Sequence, residues 1–229
     1  MNEQLVGVLY VVSTPIGNLE DITFRAIKIL SSVDLILCED TRRTKILCSH
    51  YNIRTQLKSY YSYIEQKRVK EIIPYIKQGH NVALVSDSGT PGISDPGLLI
   101  IKECIRENIR VIPIPGPTAF VPAVVCSGLP LDKVLFLGFI PKKVGKIKKL
   151  FNEIKVLKKT LIVFYESPLR IKQTLQLLKD MFGANTACVI AKEITKLYEK
   201  FMYGTLDEIS TKLSAEQLKG EYVIMIYNE

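Results

Sequence analysis

Histidine is scarce: the 229-residue chain contains only His50 and His80. Two imidazoles are too few for a histidine-rich metal cluster, and a histidine-centred triad is improbable. No HExxH, GxGxxG or GxxxxGK occurs, which removes the common zinc-protease, dinucleotide and P-loop signatures. The five cysteines are Cys38, Cys48, Cys104, Cys126 and Cys188, and no two make a CxxC pair. An odd, dispersed set fits reduced thiols of a cytosolic protein better than a disulfide frame or a zinc site. No metal is therefore expected. The N-terminus lacks a basic region followed by an apolar run, so no signal peptide is expected. The one long uncharged stretch, 111–131, carries Pro113, Pro115, Pro117, Pro122 and Pro130. These would interrupt a membrane-spanning helix repeatedly. The stretch reads as a buried strand, a proline-rich turn and a short helix. Internal repeats and low-complexity tails are also missing.

What is present is a folded, basic chain. Apolar residues make up 47%, and 31 basic against 23 acidic side chains give a net charge of +8. That excess points to a polyanion, nucleic acid first and a membrane surface second, or simply to a solvated basic surface. Short apolar runs alternate with longer amphipathic ones, the pattern of an α/β fold. Strands are expected at 9–12, 35–37, 56–58, 82–85 and 111–113, with helices at 23–30, 44–50, 65–77 and 98–107. Cys38, closing Leu35-Ile36-Leu37-Cys38, reads as a buried strand residue. In the second half, strands are expected at 135–138, 161–164, 186–191, 200–203 and 222–226. These follow one another more directly, which predicts a mixed sheet. The division falls at 1–116 and 117–229. Capping boxes are expected at Ser62–Glu65 and Thr205–Glu208, and Ser167-Pro168 reads as the N-cap and first residue of a helix ending near Met181.

The strongest local feature is the loop Asp87-Ser88-Gly89-Thr90-Pro91-Gly92-Ile93-Ser94-Asp95-Pro96-Gly97, which follows the apolar strand at 82–85. Its glycines let backbone approach a ligand, and Asp95-Pro96 could cap the next helix. A phosphate cradle wants bare amides and a Lys or Arg, whereas this loop has two carboxylates and no basic residue. Carboxylates suit ribose hydroxyls, an ammonium or a sulfonium, which favours S-adenosylmethionine (SAM) over ATP or a dinucleotide. A plain turn whose acids cap backbone is the competing reading. Two further Gly/Pro turns, at Thr14–Asn18 and Ile114–Ala119, also follow parallel-type strands. If those strands are neighbours, the three turns line one sheet edge.

Other features concern the acceptor. The segment Lys142–Lys159 holds eight lysines and one acid, Glu153. Ile147, Leu150, Phe151 and Ile154 recur at helical spacing within it. It reads as an amphipathic helix with a basic outer face, and Lys142, Lys143 and Lys146 are candidate phosphate contacts. Arg42 and Arg43 follow Glu39-Asp40-Thr41 and either grip phosphate or pair with those acids. Tyr60, Tyr61 and Tyr63 either stack on bases or form a partly buried aromatic cluster. Phe164-Tyr165-Glu166-Ser167 places an aromatic and a carboxylate at a sheet edge.

Taken together, the motifs Ser13–Thr23, Glu39-Asp40-Thr41-Arg42, Ser86–Gly97, Pro113–Gly116, Phe164–Pro168, Lys192-Glu193-Ile194-Thr195-Lys196 and Gly220-Glu221 make the chain resemble a known family. It resembles the ribosomal RNA small subunit methyltransferase I family, within the tetrapyrrole-methylase-like (class III) SAM-dependent superfamily. The resemblance covers almost the whole chain. It implies two α/β domains with a cofactor cleft between them, a cytoplasmic homodimer, and SAM-dependent 2′-O-methylation of a cytidine in the decoding region of 16S ribosomal RNA. It also implies cofactor contacts at Pro15, Asp87, Gly89, Thr90, Ile93, Thr118, Ala119, Tyr165, Gly220 and Glu221. Two histidines usual in the family are missing, since Tyr60–Glu65 and Glu166-Ser167-Pro168-Leu169-Arg170 stand where they would be. With histidine scarce, Glu166 is the candidate base or orienter, and Lys196 the candidate stabiliser of a developing alkoxide. Arg170 joins the candidate RNA contacts. A tetrapyrrole (precorrin-type) methyltransferase and a catalytically silent RNA-binding assembly factor are the rival readings.

Overall fold

The computed structural model describes residues 6–214 and 217–229, which form two compact units, Met1–Thr118 and Ala119–Glu229. The first unit carries strands β1 (Val8–Val12), β2 (Leu35–Cys38), β3 (Leu57–Ser59), β4 (Val82–Leu84) and β5 (Arg110–Ile114). Helices α1 (Phe24–Ser32), α2 (Thr41–His50), α3 (Glu65–Lys77) and α4 (Leu98–Arg106) connect them. All the strand pairs are parallel, in the order β3-β2-β4-β1-β5.

Both faces of this sheet are covered, which explains why β2 is apolar at every position. Side chains alternate across a strand, so Leu35 and Leu37 enter one core with Ile72 and Ile76 of α3 and Ile100 of α4. Ile36 and Cys38 enter the other with Leu30 of α1 and Leu47 of α2. Burial raises the Cys38 thiol to about 11 and the Cys104 thiol to about 12, which leaves both unreactive. The strand expected to be buried at 111–113 lies at the sheet edge, and within β5 only Ile114 is buried. An edge also tolerates Pro113, which has no amide hydrogen to give a second neighbour.

The second unit carries α5 (Phe120–Val125), β6 (Val134–Phe139), α6 (Val144–Ile154), β7 (Thr160–Glu166), α7 (Ile171–Phe182), β8 (Ala187–Lys192), β9 (Lys200–Thr205), α8 (Leu206–Ser214) and β10 (Tyr222–Asn228). Its sheet has the order β6-β7-β10-β8-β9 and is mixed: β6 and β7 are parallel, and the other pairs are antiparallel. Phe164, Ile190, Met202, Ile224 and Ile226 face a core completed by α6, α7 and α8. α5 packs on β7 and β10.

The Thr205 capping box forms reciprocally. The Thr205 amide donates to Glu208 Oε2 at 2.8 Å and the Glu208 amide to Thr205 Oγ1 at 3.2 Å. Three other expected caps do not form. α3 has Ile64 at its N-cap, and Glu65 instead accepts from the Gly97 amide at 3.1 Å. α4 starts after Gly97, whose φ of 146° only glycine adopts readily, so Asp95 and Pro96 remain in the loop. Ser167-Pro168 begins a turn closed by the Arg170 amide on Ser167 O, and α7 starts at Ile171.

Candidate active site

In the first unit β1 lies between β4 and β5, so the turns that follow these three strands are neighbours. They are also laced together. The Thr14 amide donates to Gly89 O at 2.9 Å, and the Gly89 amide returns a bond to Thr14 O at 3.0 Å. The Ser13 and Thr90 hydroxyls meet at 2.8 Å, and Thr90 Oγ1 donates to Pro117 O at 3.2 Å. Gly89 has φ +84°, and a methyl there would sit 3.3 Å from Ile16 Cγ2. Pro15, Asp87, Gly89 and Thr90 are therefore parts of one ordered edge. Ile93 is exposed at the tip of the long loop, and Thr118 closes the third turn.

Carboxylates define the electrostatics of this edge. Asp87 Oδ1 accepts from the Asp40 amide at 2.9 Å, and Arg43 approaches Asp87 Oδ2 at 3.6 Å. The Asp95 carboxyl is raised above its ordinary value, first by burial and then by repulsion from Asp87. Glu39 is raised by burial and by the same two neighbours, Asp87 and Asp95. Glu39 thus joins the acidic edge, a role that its place forty-odd residues upstream did not reveal. Repelling carboxylates favour a cation or hydroxyl donors and disfavour phosphate. Arg42 pairs with an acid, donating from Nε and Nη2 to Asp40 at 3.0 and 2.7 Å. These bonds hold the Asp40 carboxyl at about 2.

In the second unit a corresponding group of residues gathers at one end of the sheet. Tyr222 pairs with Glu166 on one side and Lys192 on the other. This register brings Tyr165 and Glu166, Gly220 and Glu221, and the turn after Lys192 to one edge. Lys196 Nζ donates to Glu193 Oε1 and Glu221 Oε2, each at 3.0 Å. Burial opposes its charge, but the two carboxylates outweigh it and raise the ammonium. Glu193 Oε1 also accepts from the Glu221 amide at 2.8 Å. Gly220 has φ +94°, and a Cβ there would lie 2.6 Å from the Glu193 carboxyl carbon, so only glycine fits. Tyr165 is half-buried and packs edge-on against Phe136 and Phe139.

Glu166 is more enclosed than its place at a sheet edge implied. Its side chain is 1% exposed and lies 3.1 Å from Arg170 Nη2. Oε1 accepts from the Ser167 amide at 2.8 Å and Oε2 from Thr174 Oγ1 at 2.7 Å. Arg170 also donates to Pro141 O at 2.8 Å, so it holds the start of the basic segment as well. Lys142, Lys143 and Lys146 are exposed there, and Ile147, Phe151 and Ile154 form the buried face of α6. The tyrosines divide: Tyr60 is buried, and Tyr63 is fully exposed.

Comparison with known proteins identifies the family. The model of the tetrapyrrole (corrin/porphyrin) methylases matches residues 8–210. Proteins named ribosomal RNA small subunit methyltransferase I match over nearly the full chain. The one from Hydrogenobaculum sp. is 46% identical, covering 96% of each chain. The one from Thermotoga maritima is 45% identical over 96% of this chain and 98% of its own. The chain belongs to the ribosomal RNA small subunit methyltransferase I family. Among solved structures, the methyltransferase CobJ superposes with a TM-score of 0.69 at 17% identity, covering 97% of this chain and 94% of its own. That likeness supports the two-unit tetrapyrrole methylase fold. Ala119, at the start of the second unit, falls within the matched region, as do all the other candidate residues except Gly220 and Glu221.

Proposed function

We propose that the protein transfers a methyl group from SAM to small-subunit ribosomal RNA, at the 2′-oxygen of a cytidine in the decoding region of 16S rRNA. The observation that carries this reading is the 45–46% identity, over 96% of the chain, to relatives named ribosomal RNA small subunit methyltransferase I, supported by the laced edge around Gly89. SAM supplies an electrophilic methyl group on a sulfonium, which suits an edge of repelling carboxylates. Its proposed contacts are Pro15, Asp87, Gly89, Thr90, Ile93 and Thr118 from the first unit, and Ala119, Tyr165, Gly220 and Glu221 from the second.

In the displacement, the ribose oxygen forms a bond to the methyl carbon as the carbon–sulfur bond breaks. The bonding pair stays on sulfur, and the hydroxyl proton leaves to a base or water. Positioning supplies much of the acceleration. An ammonium has three N–H donors. Lys196 spends two on Glu193 and Glu221. The third is proposed to meet the developing alkoxide. Glu166 is proposed as an orienter, because donors occupy both oxygens and its side chain is enclosed. Arg42, Arg43, Lys142, Lys143, Lys146 and Arg170 are the proposed RNA-side residues, with Arg170 acting through the Pro141 turn. The enzyme is proposed to work in the cytoplasm as a homodimer. Among the described residues no helix is long and apolar enough to cross a membrane.

The deciding assay uses methyl-labelled SAM with small ribosomal subunits, free 16S rRNA and a precorrin. Label in the RNA ribose is expected. Label in the precorrin, or SAM binding without any transfer to RNA, overturns the reading. Sedimentation at working concentration tests the dimer.

A further inference from the structure

A second candidate site lies in the first unit, between α2 and the segment 53–57. One face of α2 presents Thr41, Arg42, Lys45, Cys48 and Ser49, which recur at helical spacing. Opposite runs the segment 53–57 leading into β3, with Ile53, Arg54, Thr55 and Leu57. Between them is an open cleft of about 530 Å³. Its charged lining residues are Arg42, Lys45 and Arg54, and no carboxylate lines it. Thr41 and Ser49 bring hydroxyls to it, and Ile53 and Leu57 supply apolar surface.

The wall opposite the helix is held in place. Asn52 takes φ 56°, and the Ile53 amide returns to Cys48 O at 2.8 Å, reversing the chain after α2. Ile53 is buried, and Thr55 Oγ1 donates to Leu30 O at 2.6 Å. Arg54 is therefore carried on an anchored backbone. Elsewhere nearby, cations are neutralised within the fold: Lys58 and Arg68 both pair with Glu71. Among the described residues, Lys45 and Arg54 pair with no acid. Arg42 commits Nε and Nη2 to Asp40 and leaves its Nη1 edge for another acceptor.

We propose that this cleft binds a phosphate of the RNA backbone, with Lys45, Arg54 and the free edge of Arg42 as the charged contacts. Guanidinium and ammonium groups beside hydroxyls match the oxygens of a phosphodiester, and the apolar surface can take the adjoining sugar. The proposal rests on the RNA-methylation reading and adds Lys45 and Arg54, which lie outside the family motifs, to the Arg42 already proposed on the RNA side.

The test is the salt dependence of binding to small-subunit RNA by wild type and by the Lys45→Ala/Arg54→Ala double variant. Each lost single-strand phosphate contact removes about 0.7 from the slope of log K against log salt. Losing the single phosphate in this cleft therefore removes about 0.7, or roughly fivefold in affinity at 0.1 M salt relative to a 1 M reference. SAM affinity and melting temperature should not move. The charge-conserving Lys45→Arg/Arg54→Lys variant should keep most of the slope. An unchanged slope and affinity in the double variant would overturn the proposal, even if the wild type methylates RNA. A lost slope in a protein that transfers no methyl group to RNA would support the cleft and sink the methylation reading instead. Inorganic phosphate and AMP are titrated in parallel. Submillimolar binding of either, abolished in the double variant while the RNA slope persists, would assign the cleft to a small anion and overturn the proposal.

Discussion

Glu166→Gln separates a catalytic base from a structural anchor. The substitution keeps the side-chain shape and removes the charge that faces Arg170 Nη2 at 3.1 Å. The Ser167 amide can still donate to the remaining carbonyl oxygen. The new amide group, however, meets the Thr174 hydroxyl, which now donates to the carboxylate, and the Arg170 guanidinium, which now pairs with it. Breaking one side of a buried pair costs about 3–5 kcal/mol. Arg170 keeps its bond to Pro141 O and is 21% exposed, which places the loss at the lower end, about 3 kcal/mol. For a chain of this size that lowers the melting midpoint by about 6–12 °C. Loss of a general base would instead cost about 10²–10⁴ in turnover without requiring any loss of stability. Calorimetry and single-turnover methyl transfer, the latter well below the variant's midpoint, read the two effects separately. The expected result is a clear fall in midpoint with turnover within about tenfold of wild type, below the range for a lost base. An unmoved midpoint with turnover down more than a hundredfold would refute the anchor and make Glu166 the base.

Other perturbations address the remaining parts. Binding of cationic SAM should weaken as pH falls through the raised values of Asp95 and Glu39, starting above the ordinary carboxylate range. Without ligand, the native state holds these protons more tightly than the unfolded chain, so their contribution to stability declines as pH rises through the same window. Calorimetric titration of SAM from pH 4.5 to 7.5 checks the first effect, and Asp95→Asn should flatten the profile. Gly89→Ala forces a side chain onto φ +84° beside Ile16, costing about 1–2 kcal/mol and loosening the Thr14 bridge. SAM affinity should fall about tenfold if that strain is relieved at the expense of the bound geometry. Thr205→Ala removes half of the capping box and should cost about 1 kcal/mol, seen as a midpoint 2–4 °C lower with unchanged SAM affinity.

Much of the fold was legible because its signals are local and repeated. Leu35-Ile36-Leu37-Cys38 has no polar position, and the structure shows why: alternate residues feed two different cores. The three Gly/Pro turns were legible as a set because parallel crossovers return each chain to the same sheet edge. The helix starts were less legible. Ser62–Glu65 has capping-box spacing, but Glu65 serves the Gly97 amide, a partner set by tertiary packing. Ser167-Pro168 fits a helix start, yet Arg170 and Glu166 close a turn there first. The burial of Glu166 and the convergence of Glu39 with Asp87 and Asp95 depend on sheet order and register, which spacing along one strand does not encode.

The charge distribution gives the net excess of +8 a more specific meaning. In the first unit, Glu39, Asp87 and Asp95 gather at the strand ends, while Lys45 and Arg54 line the cleft between α2 and the segment 53–57. An excess spread evenly would draw polyanion to the carboxylate-rich edge as readily as elsewhere. Here a phosphate near Asp87 and Asp95 meets repulsion, whereas one over α2 meets cations without acidic partners. On the proposed assignments, segregation of this kind keeps the sulfonium and the phosphodiester from competing for one surface. The loop from Asp87 to Gly97 has no basic residue, which on the proposed reading keeps RNA phosphate off the surface assigned to the methyl donor.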